Sequence, residues 1–515
     1  MKWIEKYGLA VLMALHGLWG LVLWFSISKY GLGISTDSVH LLFAGLNLSE
    51  GRGLISFDGG FVSAWPPLYP VSLAFIHVLS KSDVFVSATI LQILSFAAIS
   101  FCLSILFLKI FSDNFLLAVA ANILSDVGIV VLAAFHIVGS DYVHLMFAIV
   151  FILLAGYYIE HNNPRIFLAM FIVGMLAALQ RYIGIASIAT GIMVIFFFSK
   201  ENLRRRIVRS LGMSLSAVPA GIWLVITSRV VGRRPPIGFA DNFETFSKAV
   251  LDWFLQTNAI KSSLQFYIAG LWIFIAGLIL LVLFSSRRKP LSSFAIPILM
   301  YGAVYLLALF GSASVTYFNK LEGRFLLPLY IPFVTLLVLA ANALMQFADK
   351  IKSQAMRHII TIGIVGTLVV VAGSLLRITL PLVLDSHRTG APGENVFNTK
   401  DWRENSVMNY WLAHEPQEDY ILFSNYCDGI SFYTWHSCHY SPGKFSGPYG
   451  KEEIPAAQYA SELFASGQDV YIIWIEPNAY TYYYPVEELT SIANIQPIFT
   501  SKDGGIYSLK PNTNP

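Results

Sequence analysis

The sequence predicts an α-helical polytopic membrane protein of about eleven transmembrane helices, with interfacial helices in its first external loop and a small C-terminal soluble α/β domain. Three observations lead there. Of 515 residues, 56% are hydrophobic and only 13% are charged, against about 25% charged in an ordinary soluble domain. Apolar runs of the length needed to cross a hydrocarbon core about 30 Å thick recur along most of the chain. After about Asp385 the character changes to polar residues, turn signals and short β-rich runs. The resulting division is a membrane core over residues 1–384, its first external loop at about 30–83, and an extracytoplasmic domain over 385–515.

Gly8 to Ser28 supplies the first span, directly after Lys2 and Lys6, which places the N-terminus in the cytoplasm. It is too long for a signal-peptide core and no small-residue cleavage signal follows it, so it reads as retained. Further spans fall near Val84–Ile110, Phe115–Val138, Tyr142–Ile159, Ile166–Gln180, Ile183–Phe198, Ser210–Thr227, Leu264–Phe284, Leu291–Phe310, Phe325–Met345 and Ile359–Leu376. An odd number sends the C-terminus outside. The loops then assigned to the cytoplasm hold Lys109, Arg165, Arg204, Arg205, Arg206, Arg209, Arg287, Arg288, Lys289, Lys350, Lys352 and Arg357, as the positive-inside rule requires. Arg229, Arg233 and Arg234 are the exception and fall outside. The two short spans flanking Arg181 decide the orientation of everything downstream.

The first external loop reads as two helices on the membrane surface. Val39, Leu42, Phe43 and Leu46 recur at helical spacing, with Ser35, Thr36 or Asp37 as N-cap. Pro66 to Ser80 opens with prolines and is too short to cross comfortably. In the tail, "DYILFSN" and "DVYIIWI" read as strands, separated by the helical-looking "EEIPAAQYASELFASG". The aromatic stretches "YTWHSCHY" and "NAYTYYYP" could pack the core of that domain, dock on the membrane interface, or touch a sugar. Cys427 and Cys438 lie close enough to form a bridge if the region is extracytoplasmic. The net charge of +3 is spread over short clusters, which argues against a nucleic-acid surface. The sequence has no internal repeat, Walker-type phosphate loop or low-complexity linker.

Ionisable groups at membrane depth are expensive, so they mark where chemistry is to be sought. Asp37, His40, Asp141, Arg181, Glu322 and Arg324 all fall at the outer ends of spans in this topology. Each has a plainer alternative. Asp37 could cap a helix, Asp141 could sit in headgroup water, and the arginines could snorkel to lipid phosphates. Glu322 reads as an ion-pair partner of an arginine. His40 follows Asp37 by three and shares its helix face, a pattern more typical of a hydrogen-bonded couple than of a metal site. The run His436 to His439 has residue types that suit zinc without a recognised spacing. Asp126, mid-span with Asn122 one turn earlier, fits either a transport group or a helix-packing group.

The ordered set "DSVHLLFAGLNLSEGRGL…WPPLYPVSLAFIHVL", "GSDYVHLMF", "LQRYIGIA" and "EGRFLLPLY" resembles the GT-C membrane glycosyltransferases. The likeness is to their PMT-like branch, which includes protein O-mannosyltransferases and the aminoarabinose transferase, and it runs over about the first 345 residues. It implies transfer of a monosaccharide from a polyprenyl-phosphate donor to a hydroxyl of a lipid, glycan or protein acceptor, outside the plasma membrane, by inverting displacement. By the same resemblance Asp37 is the general base and Asp141 a second catalytic acid. Arg181 and Arg324 are candidates for the donor phosphate, with Arg233 and Arg234 as further ones. Thr36 stands where a second carboxylate would, which weakens the case for a divalent metal. The alternative function is a transporter or flippase of a lipid-linked saccharide, favoured by Asp126 and opposed by the lack of a repeat.

Overall fold

The computed structural model describes residues 2–227, 238–255, 264–315, 321, 323–393, 395–445, 452–459, 463–464, 467–478 and 480–512. Arg233, Arg234 and Glu322 lie outside them. The chain forms two compact units: Met1–Lys29 with Ser63–His387, and Tyr30–Val62 with Arg388–Pro515. The division read from the sequence kept residues 30–62 with the membrane core; in the structure they pack with the C-terminal residues instead.

The first unit is an α-helical membrane bundle. Among the described residues, eight helices are long and apolar enough to cross a membrane: Tyr7–Ile27, Val84–Ile110, Ser140–His161, Leu203–Thr227, Leu264–Ser286, Ala295–Ser314, Gly323–Ala348 and Gln354–Thr389. The halves Phe115–Asp126 and Ile129–Phe135 pass the same test together, bent by 51°, and make a ninth span when the pair is counted as one crossing. The shorter apolar helices Pro164–Gln180 and Tyr182–Phe198 account for the remaining two of the expected segments. Leu68–Ser80 is a short helix that opens on Pro67. Two spans differ from their sequence limits. The arginine run 204–209 lies inside the helix that begins at Leu203, and the last helix continues through Pro381 to Thr389.

The break in the ninth span has a local cause. A Cβ on Gly128 would lie 2.3 Å from Tyr330 Cζ, so only glycine lets this aromatic ring approach the bend. The carbonyls freed there find partners, as low-dielectric surroundings demand. Tyr330 donates its hydroxyl to Leu124 O at 2.6 Å and Thr379 donates to Val127 O at 2.9 Å. Asp126 pairs with His16 Nδ1 at 2.8 Å, and Asn122 donates to Leu12 O at 3.3 Å. Both polar residues therefore join the first span to the broken one, the helix-packing alternative.

The second unit is built on a mixed sheet. Its strands are β1 (Tyr420–Ser424), β2 (His439–Tyr440), β3 (Asp469–Ile475), β4 (Ala493–Ser501) and β5 (Gly504–Pro511), in the order β2-β1-β3-β5-β4. β1 runs parallel to β2 and β3, while β5 is antiparallel to β3 and β4. The two expected strands are β1 and β3. Of the stretch expected to be helical between them, the described residues include the 3₁₀ turn Ala456–Tyr459. Val470, Ile472, Trp474, Leu489 and Leu509 form the core. Residues 30–62 join this unit through backbone and rings: Phe397 N–H donates to Ile34 O at 2.7 Å and Asn398 Nδ2 to Leu32 O at 3.1 Å. Phe43 packs on Trp435 and Phe57 on Tyr440.

Candidate functional site

In the membrane unit the sequence candidates converge around Phe325. The helix Pro164–Gln180 ends at Arg181, whose backbone is extended (φ −150°, ψ 140°), and a 3₁₀ turn over Tyr182–Gly184 follows. That turn needs a residue without a side chain, since a Cβ on Gly184 would lie 2.1 Å from Ala177 O. The break turns the Arg181 guanidinium toward Asp141, with which it forms an ion pair; the two side chains are 17% and 15% exposed. Asp141 lies in the first turn of Ser140–His161, where the helix dipole favours an anion. Gln180 Nε2 donates to Ser140 O at 3.3 Å and ties the same two helix ends together. The guanidiniums of Arg181 and Arg324 lie 5.8 and 5.6 Å from the centre of the Phe325 ring, within cation–π range. Tyr305 holds that segment by donating to Phe325 O at 3.0 Å. Arg324, in the 3₁₀ turn Gly323–Leu326, is exposed.

The same unit contains an apolar cavity of about 390 Å³ whose lining includes Phe246, Trp253, Trp272, Ile279, Pro332 and Phe333. Nothing in the sequence pattern distinguishes these side chains from ordinary lipid-facing or core residues.

In the second unit Asp37 occupies the first turn of the helix Thr36–Ser49. Ser35 is the N-cap and forms a reciprocal capping box with Ser38, so among the three candidates Ser35 performs the capping. His40 Nδ1 meets Ser56 Oγ at 2.5 Å, and its ring packs on Phe57.

Asp428 and Tyr440 were not among the sequence candidates. Asp428 is buried; Tyr440 donates to its Oδ1 at 2.9 Å and Thr36 to its Oδ2 at 3.3 Å. Loss of water pushes the Asp428 carboxyl above its ordinary range, opposed by the Tyr440 hydrogen bond, the nearby His40 and the Thr36 hydrogen bond. The signal available was an acid beside Cys427, in a segment singled out for its aromatic content. Cys427 and Cys438 form a disulfide. Cys438 therefore has no thiolate to offer zinc, and among the described residues no group of three or more His, Cys, Asp or Glu converges as a metal ion requires.

The bundle and the mixed-sheet unit share their folds with solved structures. Among solved structures the chain is similar to ArnT from Cupriavidus metallidurans in the apo state, with a TM-score of 0.61 at 11% identity, covering 98% of each chain. The form of that protein bound to undecaprenyl phosphate matches with a TM-score of 0.56, again at 11% identity and 98% of each chain. The arabinofuranosyltransferase AftD from Mycobacteria matches with a TM-score of 0.52 at 14% identity, over 98% of this chain and 40% of that one. No protein-family model matches the chain, and no curated protein does. At these identities the likeness is one of fold.

Proposed function

We propose that this protein is a glycosyltransferase that moves a monosaccharide from a polyprenyl-phosphate donor to an acceptor hydroxyl on the outer side of the plasma membrane. The observation that carries the reading is the convergence of Arg181 and Arg324 on Phe325, with Asp141 fixing Arg181. The chain-long likeness to ArnT, whose structure includes a form bound to undecaprenyl phosphate, supports a lipid-phosphate donor. The apolar cavity lined by Trp253 and Trp272 suits part of an isoprenoid tail.

The chemistry assigns each group a task. The donor phosphate is a diester with one negative charge. As the acceptor oxygen attacks the anomeric carbon, the bond from that carbon to the phosphate oxygen breaks and its electron pair leaves with the polyprenyl phosphate, which gains a second charge. Arg181 and Arg324 stabilise that developing charge. The Asp37 carboxylate takes the acceptor's proton. One displacement inverts the anomeric centre. Asp141 is a positioning residue, acting through Arg181.

Sidedness rests on three supports. Residues 30–62 and 388–515 belong to one compact unit, so they share a side of the membrane. Among the described residues, with the bent pair counted as one crossing, an even number of crossings separates them, whether or not the two shorter helices around Arg181 are counted. The Cys427–Cys438 disulfide favours an oxidising compartment, and the basic loops favour a cytoplasmic N-terminus.

The test is Asp37→Asn. Transfer should fall by about 10²- to 10⁴-fold while undecaprenyl phosphate still binds the purified protein. Retained transfer removes Asp37 as the base.

A further inference from the structure

The geometry points to an acceptor-saccharide subsite in the unit formed by Tyr30–Val62 and Arg388–Pro515, in the cavity bounded by Asp428, Tyr440 and Tyr483. The assignment rests on the reading of Asp37 as general base. The cavity has a volume of about 790 Å³, within the range of about 300–1,000 Å³ typical of small-molecule sites.

Its lining mixes ring faces with hydrogen-bonding tips. Phe423, Tyr459, Tyr480 and Tyr482 join Tyr440 and Tyr483 in the wall. A sugar ring has flat C–H faces that stack on such side chains and a rim of hydroxyls that need both donors and acceptors. Both are present. Asp428 accepts one hydrogen bond at each oxygen, from Tyr440 and Thr36, and each carboxylate oxygen has capacity for another. Burial first, and the Asp428 charge second, push the Tyr480 phenol up, so that hydroxyl stays protonated and able to donate. Ser441 also belongs to the wall.

Tyr440 and Tyr483 lie stacked on each other, with centroids 6.3 Å apart and planes 11° apart, and offer a flat face to a sugar ring, while Tyr480 stands at 75° to Tyr483; competition by a quaternary ammonium ion separates a sugar site from a cation cage. Position favours the acceptor. Thr36 lines the cavity and directly precedes Asp37 in the same helical turn, so the cavity wall includes the residue next to the base.

The test uses the full-length protein in lipid nanodiscs, without donor. One arm titrates a panel of soluble oligosaccharides of about three to five hexose or pentose units, read by saturation-transfer NMR. A second arm presents the same glycans on a lipid carrier. The expected result is binding in at least one arm, weakened about tenfold by Asp428→Asn and by Tyr480→Ala, with each variant keeping the wild-type circular dichroism spectrum and a cooperative unfolding transition. Should Asp428→Asn fail to fold, Tyr480→Ala decides alone. No binding in either arm, equal binding by the cavity variants, or displacement of bound glycan by tetramethylammonium overturns the assignment. The catalytic reading is judged separately. Glycan binding together with retained transfer by Asp37→Asn removes the base and leaves a saccharide site, whereas no glycan binding with transfer abolished removes the subsite and leaves the base.

Discussion

Arg181, which ends one apolar helix, forms an ion pair with Asp141, which begins another, across 40 residues of sequence. If the pair holds Arg181 against a leaving phosphate, Asp141→Asn should lower kcat by about 10²-fold with little change in KM for the donor. Its binding of undecaprenyl phosphate, which carries the second charge, should weaken more than its binding of the sugar-linked donor. A double-mutant cycle with Arg181→Met should give a coupling of about 0.5–3 kcal/mol. Equal weakening of both lipids, with kcat unchanged, would leave the pair a purely structural role.

The turn that carries Arg181 gives a second expectation. Gly184→Ala forces a Cβ against a backbone carbonyl that cannot swing away, and such overpacking costs about 1–3 kcal/mol. Gly221, inside the helix Val218–Thr227, has nothing within 4 Å of its would-be Cβ, so Gly221→Ala should be neutral or stabilising by up to about 1 kcal/mol. Thermal unfolding in detergent compares the two, and transfer should fall only in the first.

Asp428 makes the second unit sensitive to pH. Its carboxyl is raised above the ordinary value near 3.8, so between that value and the raised one the folded state binds more protons than the unfolded state. Its contribution to stability is therefore largest below the unfolded pKa and declines as pH rises through the folded pKa. Replacement by Asn removes the decline. Unfolding midpoints of wild type and Asp428→Asn, followed from about pH 4 to about pH 8, should diverge in the variant's favour as pH rises. Parallel curves would mean that the carboxylate is not desolvated.

Reduction offers a fourth measurement. The Cys427–Cys438 bridge closes a separation of 11 residues, for which loop entropy gives about 3 kcal/mol. Dithiothreitol, or the paired change of both cysteines to serine, should lower the unfolding temperature of the second unit and leave the helical content of the bundle unchanged, as read by circular dichroism.

Spans were legible because membrane crossing imposes a length and an apolarity that each segment must meet by itself, and Val84–Ile110 was read to the residue. The strands Tyr420–Ser424 and Asp469–Ile475 were legible for a related reason, since β-branched and aromatic runs carry their preference locally. Asp141, Arg181 and Arg324 could be singled out because charge is costly near a bilayer. By itself, then, the sequence determined a polytopic membrane bundle with an appended α/β unit and the residues where chemistry is to be sought. The tertiary structure decided that Arg181 reaches the Phe325 ring beside Arg324, that residues 30–62 pack with residues 388–515, and that Asp428 meets Thr36 and Tyr440. These contacts join positions up to 392 residues apart, and local pattern has no means of selecting such a partner, because pairing over that distance is set by how whole surfaces pack.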